Sequence, residues 1–206
     1  MERVKKVKSL ADRGFSLVEL IIVIAIMAIL AAVIAPMLIR YIDKSRKASD
    51  VESASVIYNA ISFSYNEAYP FEGDVNGVAQ DADASTNNVV SVTANYGGTA
   101  DGPYDLEILS VSNPGGNGFT AAIPQHEHFM DLIQQTLLQK NNSHDAFSRP
   151  KFRKNAGSGV PQGFLIGRKL DSGGTAEGFE VWVTTGTSNN ATPTYRLYPD
   201  CCDEYK

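Results

Sequence analysis

The hydrophobic pattern of the chain is most pronounced near its N-terminus. Residues 20–35 form a run of sixteen consecutive apolar residues, and the run resumes at residues 37–39 after Pro36. About 20 apolar residues in a helix are enough to cross a bilayer. A secretory signal peptide is the competing interpretation, but its apolar core is usually about 7–15 residues long and is followed by a small-residue cleavage site. The pattern therefore favours a transmembrane helix over residues 15–39, bent or loosened at Pro36 because proline removes one backbone hydrogen bond.

After Arg40 the apolar residues change from a continuous run to a helical stripe. Apart from a polar gap around Ser45 they recur every three or four positions, the spacing of one face of an α-helix. The positions of this stripe are Ile42, Val51, Ala54, Ile57 or Tyr58, Ile61, Tyr65 and Ala68. No glycine lies between Phe15 and Tyr69, and Pro70 is expected to end the helix. The pattern predicts an amphipathic helix over residues 40–69 that packs on a folded head.

The remaining residues, 70–206, predict a head rich in β-strands. Runs with strand character are separated by turns rich in Gly, Asn, Asp and Ser. They lie at residues 89–96, 104–112, 163–170, 178–185 and 194–198. A short helix is predicted near residues 126–140, where apolar residues return to helical spacing. We therefore expect an α+β fold in which the long N-terminal helix, first transmembrane and then amphipathic, packs against an antiparallel sheet.

The charge of the chain is divided unevenly. Residues 1–14 carry five basic residues and two acidic ones, whereas the whole chain has a net charge of −5, so the remainder carries −8. Phosphate binding requires clustered Lys and Arg. We therefore expect no nucleic-acid partner.

The only two cysteines, Cys201 and Cys202, are adjacent near the C-terminus. Neighbouring Cα atoms are about 3.8 Å apart, closer than the ~4.4 Å at which ordinary disulfides begin, so a bond between these two would be strained. Two thiols also fall short of a four-ligand metal site. We interpret them as unpaired or interchain thiols on a tail.

Catalytic and cofactor-binding motifs are weak in this sequence. His126 and His128 are two residues apart on a predicted helix and point to different sides, so they do not easily share a metal. His144 and Asp145 follow Ser143 directly, but sequence neighbours cannot form a triad that must converge in space. We expect no enzymatic activity and no cofactor.

Two polar loops were considered as ligand sites. Residues 113–119 are rich in glycine but lack the helix start and Lys of a phosphate-binding loop. Asp81 and Asp83 lie at alternating positions, as the first ligands of a calcium-binding loop do. The Gly at the sixth position and the Glu at the twelfth position of such a loop are missing. Solvated loops are the favoured interpretation, and calcium binding stays open.

The N-terminal residues resemble a known signature. The basic leader ends in Gly14. It is followed by Phe15, a small residue, an apolar pair and then Glu19. An apolar run that contains Pro36 comes next. This arrangement is similar to the class III signal of type IV pilins and pseudopilins, and the long helix with a β-rich head resembles their architecture. The resemblance implies a cleaved leader over residues 1–14.

The resemblance also implies roles for these residues. A prepilin peptidase and methyltransferase would cut between Gly14 and Phe15 and methylate the new amine of Phe15. Glu19 and Pro36 would serve assembly. A carboxylate at membrane depth costs a few kcal/mol and needs a partner, and the Phe15 amine of a neighbouring subunit would supply one. The alternative interpretation is a chance acid that reaches the membrane interface near the helix end.

These observations predict the structural subunit of a type IV pilus, a homopolymer built with the help of assembly membrane proteins and ATPases. Before assembly it would be a single-pass protein of the cytoplasmic membrane, with its leader inside and its head outside. A pseudopilin of a type II secretion or DNA-uptake system is the alternative, and a membrane-tethered binding module is an alternative of another class. Many members of this family from Gram-negative bacteria have a disulfide between two separated cysteines near the C-terminus. This chain has only the adjacent Cys201 and Cys202, which fits a Gram-positive source better.

Overall fold

The computed structural model describes residues 15–72, 89–96, 99–113, 118–121, 127–141, 147, 149–153, 160–171, 173–185 and 192–206. Helix α1 spans Leu17–Glu72. The chain divides into two compact units, Met1–Ile42 and Asp43–Lys206, and α1 contributes to both. We call the described part of the first unit the apolar segment and the second unit the head.

The apolar segment is a helix whose large apolar side chains are exposed on every side. Between Leu17 and Ile42 each of them has more than a third of its surface exposed. A helix that is apolar all round belongs in a membrane or in a protein core. This one is long and apolar enough to cross a membrane by length and composition.

The head contains a six-stranded antiparallel sheet. Its strands are β1 (Val89–Tyr96), β2 (Thr99–Asn113), β3 (Gly118–Ala121), β4 (Gly163–Leu170), β5 (Ala176–Thr184) and β6 (Pro193–Tyr198). The order is β1-β2-β4-β5-β6, and β3 pairs with the end of β2, where Ser110 lies opposite Ala121. A second helix, α2, spans Glu127–Asn141.

One face of the sheet packs against the two helices. Ile57 and Ile61 of α1 and Phe129 of α2 are completely buried in one cluster with residues of the central strands. The strand residues of this cluster include Phe164, Ile166, Val181, Val183 and Leu197. This arrangement confirms the predicted α+β fold, with the amphipathic part of the helix against an antiparallel sheet.

The opposite face of the sheet is buried as well. Leu165 and Trp182 alternate with the residues of the first cluster and form a second one with Leu106, Ile108 and Val111. Successive strand residues point to opposite faces, so burial on both faces explains the uninterrupted apolar stretches at residues 164–166 of β4 and 181–183 of β5.

A buried ionic group joins β5 to β6. Arg196 Nη1 lies 3.0 Å from Glu180 Oε1, and Trp182 Nε1 donates a 2.8 Å hydrogen bond to Glu180 Oε2. Arg196 Nε also donates to the carbonyl oxygen of Asp200. Both carboxylate oxygens are therefore satisfied, which is the condition under which a buried ion pair does not destabilise a fold.

The C-terminal residues are part of the core and not a tail. Cys202 is 0% exposed, and Tyr205, at the end of a 3₁₀ turn over Asp203–Tyr205, is also buried. The Cys202 backbone N–H donates to the Arg196 carbonyl, and the Lys47 ammonium donates to the Glu204 carbonyl. The prediction of a tail was wrong because the segment is held by Lys47 of α1, 157 positions from Glu204 in sequence, and by the nearby strand β6.

Asp50 of α1 ties a further segment to the helix. Its side chain is buried and accepts hydrogen bonds from the backbone N–H groups of Lys151 at 2.6 Å and Phe152 at 2.9 Å. Burial raises the pKa of Asp50 to about 6, although these two hydrogen bonds act in the opposite direction. The carboxyl group is a long-range connection within the head.

Three local features differ from the sequence analysis. Helix α1 starts at Leu17 and continues past Pro70 to Glu72. A proline in the last turn costs the helix one backbone hydrogen bond, which is less disruptive there than in the helix interior. Strand β3 was not predicted, because its four residues are too few to show a period.

Candidate functional site

The start of α1 is organised by two residues of the N-terminal signature. The Leu20 N–H donates a 3.2 Å hydrogen bond to the Ser16 carbonyl, the first bond of the helix, so Ser16 is the N-cap residue. The Ser16 backbone N–H donates a 2.9 Å hydrogen bond to Glu19 Oε2. Glu19 is the third residue of the helix, and this return bond is one half of a capping box.

This geometry gives the carboxylate of Glu19 a local partner. A helix start favours negative charge because its first N–H groups have no intrahelical acceptor. The bond to Ser16 uses only Oε2; among the residues that the structure describes, none donates a hydrogen bond to Oε1. Glu19 can therefore cap its own helix and still accept a hydrogen bond from another cation or donor.

The capping role of Glu19 was not predicted. The signal was present as Ser16-Leu17-Val18-Glu19, a Ser-x-x-Glu pattern directly before an apolar helix, which is the sequence mark of a capping box. The capping box offers a second physical reason for an acid at this position. It has to be separated from a role of Glu19 in assembly by experiment.

The other predicted site residues lie near the same helix start or within the apolar segment. Phe15 precedes the N-cap and is 88% exposed, whereas Gly14 lies outside the described residues. Pro36 lies inside α1, which is continuous through it. The predicted bend at Pro36 and the cleavage between Gly14 and Phe15 stay predictions.

Most of the weaker candidate sites lie outside the described residues. These are Asp81, Asp83, His126, Ser143, His144, Asp145 and most of the Gly-rich loop at residues 113–119. His128 is exposed on α2. Within the described part of the chain, no three His, Cys, Asp or Glu side chains are placed to hold a metal ion.

The two cysteines differ in chemistry. The hydrogen bond shared with Cys201, followed by burial, raises the pKa of the Cys202 thiol, whereas that shared hydrogen bond, followed by the Lys206 charge, lowers the pKa of Cys201. Cys201 is half-buried and its Sγ lies 3.5 Å from the Cys202 carbonyl oxygen. Any thiol reactivity of the native head therefore belongs to Cys201, since the thiolate is the reactive form.

The head also has a cleft with a volume of 320 Å³, whose lining residues include Tyr58, Lys169, Glu177, Glu180 and Arg196. Four of its charged groups form two pairs: Lys169 lies 3.1 Å from Glu177, and Arg196 binds Glu180; Asp200 also lines the cleft.

Comparison with protein families identifies the N-terminal segment. Residues 10–35 match the family model described as the prokaryotic N-terminal methylation motif. The chain carries the type IV pilin class III signal. No curated protein and no solved structure matches the chain.

The motif and the exposed apolar helix together support a type IV pilin-like or pseudopilin-like protein that is anchored in a membrane. The motif implies processing by a prepilin peptidase, and it marks a class of structural, non-enzymatic proteins. The match covers the helix start and most of the apolar segment, and it stops before the head. The expected Gram-positive source stays a prediction.

Proposed function

We propose that this protein is the structural subunit of a type IV pilus, cut between Gly14 and Phe15, methylated at Phe15 and polymerised into an extracellular fibre. The observation that carries the proposal is the methylation motif on a helix whose apolar surface is exposed all round from Leu17 to Ile42. Such a surface is stable only in lipid or against other apolar surfaces. Copies of the same helix would supply those surfaces once the subunit leaves the membrane.

In this proposal Glu19 has two partners through its two carboxylate oxygens. Oε2 holds the Ser16 N–H of its own helix. Oε1 accepts a hydrogen bond from the amine of Phe15 in a neighbouring subunit. An amine carried into an apolar fibre core without a counter-charge would cost several kcal/mol. The pair would thus fix the axial register of each added subunit.

The experiment is mass spectrometry of fibres sheared from cells. The mature chain is expected to begin at Phe15 and to carry one methyl group on its amine. A fibre chain that still includes residues 1–14 would overturn the processing step. Absence of this protein from the sheared fraction, with the protein retained in the membrane, would overturn the pilus assignment.

A pseudopilin of a secretion or DNA-uptake system is the second candidate, because the same motif marks both groups. The region from Phe71 to Lys206 is large for a minimal pseudopilin head, which favours a surface pilus. Shearing distinguishes them. A major pilin dominates the sheared fraction, a pseudopilin yields few or no long fibres, and a membrane-tethered binding module stays with the cells.

A further inference from the structure

Strand β5 lies between β4 and β6, but β6 covers only part of it. On one side β5 pairs with β4 from Ala176 to Thr184. On the other side the pairing with β6 ends where Val181 lies opposite Tyr198. Among the residues that the structure describes, no strand pairs with residues 177–180 on this second side. These four residues therefore form a strand edge next to β6.

The cleft of 320 Å³ lies along this edge. Its lining residues include the four consecutive residues Glu177, Gly178, Phe179 and Glu180. Successive strand residues point to opposite faces of a sheet, so one cleft meets all four only where it follows the edge of the strand. The edge offers roughly 13 Å for pairing, at about 3.3 Å per residue. All lining residues belong to the head, so the cleft is a feature of the head alone.

The space beside the edge is open. Apart from the chain neighbours of Gly178, none of the described residues has an atom within 4 Å of a Cβ placed on this glycine. Strand β6 ends at Tyr198, and the next two residues, Pro199 and Asp200, line the cleft. Tyr58 of α1 lines it too, and its ring centre lies 4.5 Å from that of Tyr198. The cleft therefore lies where a continuation of β6 would pair with β5.

The charged residues that line the cleft leave one carboxylate over. They are two cations and three carboxylates, a net charge of −1: Lys169, Arg196, Glu177, Glu180 and Asp200. Lys169 pairs with Glu177, and Arg196 pairs with Glu180. Arg196 Nε donates to the backbone carbonyl of Asp200 and not to its carboxylate. Among the described residues, none forms an ion pair with the Asp200 carboxylate.

We propose that the cleft binds an extended peptide segment of a partner protein, and that this segment carries a basic residue. The peptide adds a short strand beside residues 177–180, and main-chain hydrogen bonds to β5 supply most of its affinity. Its basic side chain pairs with the Asp200 carboxylate and packs against the Tyr58 ring. The proposal goes beyond the proposed function, because it concerns the head alone and holds whether or not the chain forms fibres.

A peptide suits the cleft better than a saccharide or a free amine does. A strand edge presents a row of N–H and C=O groups, and another extended backbone matches their spacing. A small amine would use the Asp200 carboxylate and leave the strand edge unpaired. The edge and the charge together therefore favour a peptide with a basic side chain.

The test measures binding of the peptide fluorescein-Thr-Val-Lys-Val-Thr-amide to the full chain in detergent micelles by fluorescence anisotropy. Because main-chain hydrogen bonds supply the affinity of an added strand, the probe does not have to be the natural partner. We expect saturable binding. The same peptide with glutamate in place of lysine is expected to bind more weakly, since it places a second negative charge beside Asp200.

Two backbone-methylated peptides test the strand pairing directly. Each has the lysine sequence and carries N-methyl groups on one of the two alternate sets of amides. Alternate N–H groups of a strand point to opposite sides, so only one set pairs with β5. One peptide is therefore expected to bind about tenfold more weakly than the unmethylated probe, because it loses two hydrogen bonds, and the other is expected to bind normally.

Substitutions in the protein locate the site. Asp200→Asn removes only the unpaired charge and should weaken the lysine peptide by up to about fivefold, the range of an exposed ion pair. Gly178→Val fills the cleft from an open position and should abolish binding of every peptide. Asp131→Asn, at an exposed aspartate of α2 outside the cleft, is the matched control and should bind like the wild type. The fluorescence of Trp182 shows that each variant is folded.

Four results would overturn the proposal. The lysine peptide could fail to bind the wild type, or both methylated peptides could bind as tightly as the unmethylated one. Displacement of the probe by acetyl-lysine-amide with the same affinity would make the cleft a site for small cations. Self-association of the wild type that is lost in Gly178→Val would assign the edge to a second copy of this chain.

Discussion

The two parts of α1 place the same kinds of side chain in different surroundings. Ile29 in the apolar segment is 67% exposed, whereas Ile57 in the head is fully buried under the sheet. Both residues lie in the same helix, so secondary structure does not explain the difference in their exposure. The difference arises because strands of the head pack on Ile57. The head covers its apolar stripe with its own strands, whereas no described residue of the head buries the large apolar side chains of the apolar segment.

The two parts also use carboxylates differently. Glu19 accepts a hydrogen bond from a residue three positions away, and its surroundings are open. Asp50 accepts two hydrogen bonds from residues more than 100 positions away and is 1% exposed. Asp50 therefore contributes to the folding of the head. Glu19 Oε1 accepts no hydrogen bond from any of the described residues.

The largest effect on stability is expected from removing a buried side chain of the head. Ile57→Ala should destabilise the head by about 2–5 kcal/mol, the usual cost of truncating a buried isoleucine. The same substitution at Ile29 should leave head stability unchanged. Both can be measured in detergent by denaturant unfolding followed through Trp182, the single tryptophan, which is buried in the head. Equal shifts for the two variants would contradict the division into an apolar segment and an independently packed head.

Loss of the Asp50 connection should have the next largest effect. Asp50→Ala leaves the N–H groups of Lys151 and Phe152 without their acceptor, which costs about 1–3 kcal/mol. The conservative surface change Glu52→Gln is the control and should cost less than about 0.5 kcal/mol.

The pH dependence of Asp50 follows from its raised pKa. Because burial raises the pKa of this carboxyl from 3.8 to about 6, the native state binds its proton more tightly than the unfolded state does. The corresponding stability is fully present below pH 3.8 and is lost as the pH rises through about 6. Unfolding curves of the wild type and of Asp50→Asn across this range test the expectation. A fall in stability of equal size in both would show that another group titrates.

A smaller effect is expected at the C-terminal segment. Cys202→Ser places a hydroxyl group in an apolar cluster and should destabilise the head by about 1–2 kcal/mol. Cys201→Ser, at the half-buried neighbour, should change little. A neutral maleimide should accordingly modify Cys201 in the native protein and spare Cys202. If the two substitutions are equally harmless, the segment does not belong to the core.

The smallest effect is expected at the proline of the apolar segment. Pro36→Ala restores a backbone N–H and should leave processing and head stability unchanged, while fibre yield or symmetry shifts because the helix loses a flexible point. Pro70→Ala, in the last turn of the same helix, is the matched control. Unchanged filaments by electron microscopy would exclude a role for Pro36 in assembly.

The repetitive parts of the fold could be predicted from the sequence. Strands β1 and β4 were predicted at the observed residues, 89–96 and 163–170, because period and turn residues agree there. The helix predicted near 126–140 corresponds to α2, Glu127–Asn141. These features depend on neighbours a few residues apart, which a sequence displays directly.

The features that depend on distant contacts could not be predicted. The bonds from Asp50 to Lys151 and Phe152 and the contact of the Lys47 ammonium with the Glu204 carbonyl each join residues more than 100 positions apart, and no local pattern indicates them. At the candidate site the acid itself was recognised from the signature, but its hydrogen bond to the Ser16 N–H was not. That bond was predictable, since Ser-x-x-Glu before an apolar helix is a local pattern.

The central claim is that the charge of Glu19 serves assembly, in addition to capping its own helix. Glu19→Ala should keep processed protein in the membrane, because removing an acid does not weaken insertion of an apolar helix. Glu19→Gln retains an acceptor that suits a capping box and removes only the charge. The two variants therefore separate capping from pairing with the Phe15 amine.

The most direct measurement is the amount of fibre sheared from cells that express only one variant, normalised to processed protein in the membrane. The account predicts no fibres for Glu19→Ala and, at best, few for Glu19→Gln, with wild-type amounts for Ser16→Ala, which keeps its backbone N–H. Wild-type amounts of fibre from Glu19→Gln would show that capping alone explains the acid. Abundant fibres from Glu19→Ala would show that Glu19 is a tolerated acid at the membrane interface.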